Sequence, residues 1–142
     1  RFTAEVAKRK LMSSLAAPVP SQEGLSEYLR HGGYDRHLRQ LRGLLVQQQQ
    51  QVLRGIAKHF PAGTKVTRPE GGYFAWVELP ASVNALELHR LALSHGVSVA
   101  PGQLFSAGKG FTHHMRVNFG HPDHKDFESA LQTVGAIAKA LV

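Results

Sequence analysis

The segment of residues 68–80 limits the possible folds of this chain more than any other stretch. Pro69 cannot donate a backbone hydrogen bond, and Gly71 and Gly72 accept backbone angles that other residues avoid. β-favouring side chains then alternate between two faces, with Tyr73, Ala75, Val77 and Leu79 on one face and Phe74, Trp76 and Glu78 on the other. This alternation predicts a strand that ends at Pro80. The glycine pair before it allows the backbone to approach either a ligand or another strand.

Length and composition fit one domain with a real core. The 142 residues are 42% hydrophobic, and no window is apolar for long enough to span a membrane. The chain contains no cysteine, which excludes disulfides and suits a reducing compartment, so we expect a cytoplasmic protein. The net charge of +7 comes from scattered residues, and only Lys8, Arg9 and Lys10 are adjacent. This scatter favours a solvated basic surface over direct contact with nucleic acid.

Apolar periodicity and chain breakers divide the rest of the chain into elements. A helix over residues 4–15 should be capped by Thr3, and a second, short helix should begin after a Ser21 cap. A long helix over 35–60 follows, in which residues 47–51 should form a solvated face. Further strands are expected at 64–68, 97–100 and 115–119, with a helix from an Asn84 cap to Gly96 and a final helix that begins near Pro122. This order predicts an α+β fold, in which a small, mostly antiparallel sheet is covered by helices. Residues 1–60 would be a long helical lead-in and interdomain helix, and residues 61–142 the α+β domain.

The strand predicted at 115–119 contains the residue that most strongly suggests chemistry. Met115, Val117 and Phe119 share one face, and Arg116 and Asn118 share the other. A guanidinium in the centre of a short apolar strand is costly to bury without a partner. It requires a carboxylate within the protein, an exposed edge, or the carboxylate of a ligand, which a guanidinium binds through two parallel hydrogen bonds. The residues alone leave these alternatives open, and structural ion pairs are the commoner case.

Nine histidines raise the question of a metal site. Their closest group is His113, His114, His121 and His124, whose spacing matches no common zinc pattern. We therefore expect solvated or capping histidines and no metal site. The chain also has no nucleophile motif, no phosphate loop and no lysine in an apolar setting, so the residues alone predict no catalytic set.

Several motifs together resemble a known family. Residues 69–80, Pro-Glu-Gly-Gly-Tyr-Phe-Ala-Trp-Val-Glu-Leu-Pro, resemble the small-domain signature of fold type I, pyridoxal-phosphate-dependent aminotransferases. Three further segments follow in the order and spacing of that family: Gly96-Val97, Ala100-Pro101-Gly102 with Phe105, and Met115-Arg116-Val117-Asn118-Phe119. Residues 32–42, Gly-Gly-Tyr-Asp-Arg-His-Leu-Arg-Gln-Leu-Arg, resemble one branch, the MocR-type regulators of the GntR family. In that branch an aminotransferase-like domain is joined to an N-terminal winged-helix DNA-binding domain.

The resemblance implies roles for particular residues. Arg116 matches the arginine that grips the α-carboxylate of an amino acid substrate or effector, and Gly71, Gly72, Tyr73 and Asn118 would line the small-domain side of the ligand cleft. Pyridoxal 5'-phosphate would be held by a large domain that precedes Arg1, and no lysine here matches the Schiff-base lysine motif of the family. We therefore expect no catalytic and no cofactor-binding residue in this chain, and no activity from these residues alone.

The resemblance also implies a function for the full-length protein. The chain would be the C-terminal part of the effector-sensing domain of a transcriptional regulator that binds an amino acid or amine. DNA would be bound by an N-terminal domain that is not in this chain, and the full-length protein would be a homodimer. The first alternative is the small domain of a genuine class I/II aminotransferase, in which Arg116 positions a substrate. The second is an α+β interaction domain without a cofactor.

Overall fold

The computed structural model describes residues 2–108, 110–120 and 126–142. The chain divides into two compact units, Arg1–Leu41 and Arg42–Val142. This division lies within helix α3 (Gly33–His59), and the domain boundary expected after residue 60 stays a prediction. The C-terminal half of α3 buries Val52 and Ile56 in the core of the second unit.

The first unit contains α1 (Thr3–Ser13), α2 (Val19–Arg30) and the start of α3. The expected caps were wrong at both helices, because Phe2 occupies the N-cap position of α1 and Pro18 that of α2. α2 begins before Ser21, since a proline is tolerated in a first helical turn. In the described part of this unit, α1 and α2 contain no buried side chain.

Within the described residues, the second unit is built on a four-stranded antiparallel sheet with the order β1-β2-β4-β3. The strands are β1 (Lys65–Val66), β2 (Phe74–Glu78), β3 (Ala100–Pro101) and β4 (His114–Asn118). They confirm the predicted antiparallel sheet and the strands predicted around 64–68, 73–79 and 115–119, although β1 is shorter than expected. The strand expected at 97–100 is misplaced, because it shares only Ala100 with β3. β4 lies between two neighbours, so Arg116 is not on a sheet edge.

Alternation along β2 and β4 separates the two faces of the sheet. Ala75, Val77, Met115 and Val117 are buried against α3, α4 (Ala85–Ser94) and α5 (Phe127–Ala140). Burial of one such side chain contributes about 1.5–3 kcal/mol for Val or Met. This one-sided burial confirms the predicted faces. The even-numbered side chains of both strands point away from the core, because successive side chains alternate between the two faces of a strand.

α5 crosses α3 at close range because the contact is made by glycines. A Cβ atom at Gly135 would lie 2.5 Å from the carbonyl oxygen of His59, and one at Gly55 would lie 2.5 Å from Cδ1 of Leu131. Beside this crossing, the Glu128 carboxylate accepts hydrogen bonds from His59 Nε2 at 2.7 Å and from Lys58 Nζ at 3.1 Å. These two hydrogen bonds lower the pKa of Glu128, that from His59 first.

Two local expectations have opposite outcomes. The Asn84 side chain accepts hydrogen bonds from the Leu86 and Glu87 N–H groups at 2.9 and 3.3 Å, which confirms the predicted cap of α4. The expected solvated face at residues 47–51 is wrong in part, because Gln48 is buried and Gln49 donates a hydrogen bond to the Pro69 carbonyl. The expected helix start near Pro122 lies outside the described residues. No helix in the described ranges is both long and apolar enough to cross a lipid bilayer.

Candidate functional site

The sheet face that points away from the core brings Arg116 together with aromatic side chains. Strand register places Trp76 opposite Arg116 and Phe74 opposite Asn118. All four are even-numbered residues, so their side chains share one face. β2 and β4 lie about 40 residues apart in the sequence, and their pairing therefore assembles this face.

The Arg116 guanidinium rests on two phenyl rings. Its Cζ atom lies 4.1 Å from the ring centroid of Phe74 and 4.4 Å from that of Phe105, which is within cation–π distance of both. Between the described residues, no ion pair or side-chain hydrogen bond includes this guanidinium. Because cation–π contacts use the faces of the rings and not the N–H groups, those donors remain able to bind an anion.

A tight turn positions Phe105. The 3-10 helix Gly102–Phe105 follows β3, and a Cβ atom at Gly102 would lie 2.5 Å from the Phe111 carbonyl oxygen and 2.9 Å from that of His114. Only glycine allows this approach without displacing backbone. The turn brings the Phe105 ring to 5.6 Å from the Trp76 ring, and the Phe111 ring lies 5.4 Å from Trp76 on an edge-on contact. Trp76 of β2, Phe105 of the turn after β3 and Phe111 thus form one aromatic cluster.

A pocket of about 810 Å³ lies along β4, beyond the point where β3 stops pairing at Arg116. Arg116, Asn118 and Phe74 line it, together with apolar residues such as Val97 and Phe127. The Asn118 carbonyl oxygen Oδ1 accepts a hydrogen bond from the Gly120 N–H at 2.8 Å. Its amide NH₂ group is therefore the part that can donate to a ligand. The volume lies within the range of pockets that hold small molecules.

The structure brings only some of the predicted site residues together. Arg116 and Asn118 line the same pocket, whereas Gly71, Gly72 and Tyr73 lie in the exposed segment before β2 and are not part of its described lining. Gly72 has a φ of +77°, and no described atom lies within 4 Å of an added Cβ at either glycine. Gly72 therefore serves a backbone angle here, and the place of both glycines in a ligand cleft stays a prediction.

Two pocket residues were missed by the sequence reasoning. Phe74 was assigned to the correct face of its strand, but its contact with Arg116 depends on register, which one sequence does not provide. His89 of α4 also lines the pocket, and its Nδ1 atom is buried without a hydrogen-bond partner in the described structure. Nothing in the sequence distinguishes His89 from the other histidines.

Comparison with protein families gives a clear result. The family model for aminotransferases of class I and II matches residues 4–134. The chain belongs to this family. The match extends through most of both units and includes every residue of the Arg116 face.

Individual relatives include regulators and enzymes. The chain is 35% identical to the uncharacterized HTH-type transcriptional regulator YdcR of Escherichia coli. The alignment spans 133 residues, which are 94% of this chain and 28% of that protein. It is 28% identical to 2-aminoadipate transaminase of Thermus thermophilus, over 97% of this chain and 34% of the enzyme. The chain thus spans about a third or less of the length of these relatives. Both branches expected from the resemblance are represented among them.

Solved structures confirm the fold. Pyrococcus horikoshii kynurenine aminotransferase aligns with a TM-score of 0.85 and 26% identity, over 96% of this chain and 34% of that one. The α-aminoadipate aminotransferase LysN of Thermus thermophilus aligns with a TM-score of 0.83 and 27% identity, over 98% and 36%. The predicted aminotransferase-type α+β fold is therefore confirmed.

Proposed function

We propose that this chain is the C-terminal part of the effector-sensing, aminotransferase-like domain of a DNA-binding transcriptional regulator. In this proposal Arg116 binds the carboxylate of an amino acid ligand. The observation that carries it is the position of the guanidinium, which lines a pocket and forms no ion pair with a described residue, although Asp126 lines the same pocket. Relatives named as HTH-type transcriptional regulators support the regulatory part.

The surroundings of Arg116 suit a carboxylate. The rings of Phe74 and Phe105 hold the guanidinium in place and exclude water from part of it, which strengthens hydrogen bonds to a charged ligand. A carboxylate can accept two parallel N–H bonds from one arginine. The Asn118 amide lies two residues further along the same strand face and can donate to the same ligand. Apolar residues elsewhere in the pocket leave room for a ligand side chain.

The cofactor would come from another part of the full-length protein. The family and the named complexes of its members imply dependence on pyridoxal 5'-phosphate, which when bound supplies an electron sink for amino acid chemistry. The described residues of this chain do not fit a site for it, because no described lysine lines the pocket. Lys58 and Lys65 are exposed and pair with carboxylates instead. This chain would therefore bind and orient the ligand only.

Regulation would follow from the ligand-bound state. An amino acid or amine effector can shift the protein between two conformations only by binding one of them more tightly. For an amino acid, the contact of its carboxylate with Arg116 would contribute to that difference. DNA would be bound by an N-terminal domain, and the full-length protein would be a homodimer. An amine without a carboxylate would bind without the help of Arg116.

A genuine aminotransferase is the second candidate. It is favoured by the relatives with enzyme names, among them aromatic-amino-acid aminotransferase 1 of Thermococcus litoralis, which is 30% identical over 85% of this chain and 29% of that enzyme. The two candidates differ in what the ligand changes. In a regulator, adding an amino acid to a mixture of the full-length protein and labelled DNA from upstream of the gene changes the fluorescence anisotropy of that DNA. Steady transamination with no effect on DNA would favour the enzyme.

The role of Arg116 can be tested by calorimetric titration of the full-length protein with amino acids. Arg116→Ala should weaken binding about 10- to 150-fold, since hydrogen bonds to a charged group contribute about 1.5–3 kcal/mol. Arg116→Lys should recover part of this affinity, because the charge stays and the paired geometry is lost. Arg90→Ala is the matched control, since Arg90 is exposed on α4 and is not part of the pocket lining. Equal affinity in wild type and Arg116→Ala would contradict the assignment.

A further inference from the structure

Two imidazoles and one carboxylate converge at the end of the sheet. Glu78, the last residue of β2, is the cross-strand partner of His114, the first residue of β4. His113 precedes His114, and its carbonyl accepts a hydrogen bond from the Leu79 N–H at 2.8 Å, which fixes the two backbones side by side. One donor atom from each of the three side chains lies within 4.8 Å of the other two.

This set has the chemistry of a metal site. Two imidazole nitrogens and one carboxylate oxygen are ligands that Zn²⁺ and similar divalent ions take in proteins. Ligands at about 2.0–2.1 Å from a tetrahedral ion stand about 3.3 Å apart, so the donors would have to close by about 1.5 Å at most. We propose that Glu78, His113 and His114 bind a divalent transition-metal ion such as Zn²⁺, with water in the remaining position. Side-chain rotation of the partly exposed residues can supply the movement.

Spacing along the chain does not show this site, because its carboxylate comes from another strand. The group considered in the sequence was His113, His114, His121 and His124, which has no acidic member. Antiparallel pairing of β2 with β4 adds Glu78 to the first two histidines. The site does not depend on a ligand role for Arg116.

His114 is held in place by neighbouring rings. Its ring stacks on Trp76 at a centroid distance of 5.7 Å and meets Phe111 edge-on at 5.3 Å. Its Nδ1 atom is buried and has no hydrogen-bond partner in the described residues.

Lys65 competes for the same carboxylate. Its Nζ atom lies 2.9 Å from Glu78 Oε1. The lysine side chain is 73% exposed, so the pair is weak and a metal ion can replace it. Removing the charge of Lys65 should therefore strengthen metal binding.

The test is calorimetric titration of the tag-free, full-length protein with ZnCl₂ at pH 7.5. We expect His113→Ala and Glu78→Gln each to remove one equivalent or weaken it at least about tenfold, because each removes a ligand. Lys65→Met should tighten that equivalent about fivefold, since a unit charge near the ion opposes binding. His95→Ala, an exposed histidine at the end of α4, is the control and should leave the titration unchanged. Two results would overturn the proposal. One is that His113→Ala and Glu78→Gln bind zinc with the stoichiometry and affinity of wild type, and the other is that Lys65→Met gains no zinc affinity.

Discussion

Replacing Gly135 by alanine tests how closely α5 must approach α3. The new Cβ atom would lie 2.5 Å from the His59 carbonyl oxygen, 2.8 Å from its carbon and 3.0 Å from its Cβ atom. Two of these atoms are backbone, so they cannot rotate away as a side chain can. Overpacking costs about 1–3 kcal/mol, and these contacts place it in the upper half of that range. Helix propensity returns about 0.5–1 kcal/mol, so we expect a net destabilisation of about 1–2.5 kcal/mol.

The assay is hydrogen exchange, read by mass spectrometry on peptides of α3 and α5 in the full-length protein. A loss of this size raises the local opening constant about 5- to 70-fold. Gly43→Ala is the matched control, because Gly43 lies in α3, the helix that α5 contacts, and has no atom within 4 Å of an added Cβ. This control should keep or increase protection. Protection in Gly135→Ala that equals or exceeds that of wild type would refute the reasoning.

Three further changes have defined outcomes. Asn84→Ala removes the cap of α4 and should cost about 1 kcal/mol, seen as faster exchange at the start of that helix. The pKa of Glu128 is lowered below 4.5, chiefly by His59, so its stabilising effect is present above that pH and is lost as the pH falls through the lowered value. Glu128→Gln should therefore reduce the acid sensitivity of unfolding in a pH titration, and an unchanged profile would argue against the pair. Phe105→Leu removes one ring from Arg116 and should weaken amino acid binding about 2- to 5-fold by calorimetry.

Strand alternation and the cap of α4 were predictable, whereas the caps expected for α1 and α2 were wrong. The odd residues of β2 and β4 were expected on one face, and Val77 and Met115 are fully buried there. Such patterns are reliable because one face of a small sheet must be dry and the other need not be. The Asn84 cap is likewise a local interaction, formed within three residues, so the sequence shows it directly.

Contacts between distant segments were not predictable. Gln48 was expected in water, yet α3 packs on the core at that position and buries it. Nothing in the local sequence shows that Gly135 meets the His59 carbonyl, because the helix crossing depends on all the side chains around it. The same holds for Glu78 and His114, whose pairing requires the strand register.

For the candidate site, the sequence singled out Arg116 and left its role open, and a ligand role for this residue stays a prediction. Arg116 was singled out because an unpaired guanidinium is costly in an apolar strand. Strand order then excluded the sheet edge, and no ion pair formed by the described residues includes this side chain. The rings of Phe74 and Phe105 contact it instead, through a register and a turn that a single sequence does not show.

The most direct test of the central claim compares two ligands on two proteins. The ligands are an amino acid that binds the full-length protein, found by titrating the protein amino acids, and the amine that lacks only its carboxylate. The proteins are wild type and Arg116→Ala. We expect wild type to bind the amino acid about 10- to 150-fold more tightly than the amine, and Arg116→Ala to bind both with similar affinity. The same preference for the amino acid in both proteins would contradict a carboxylate-binding role for Arg116.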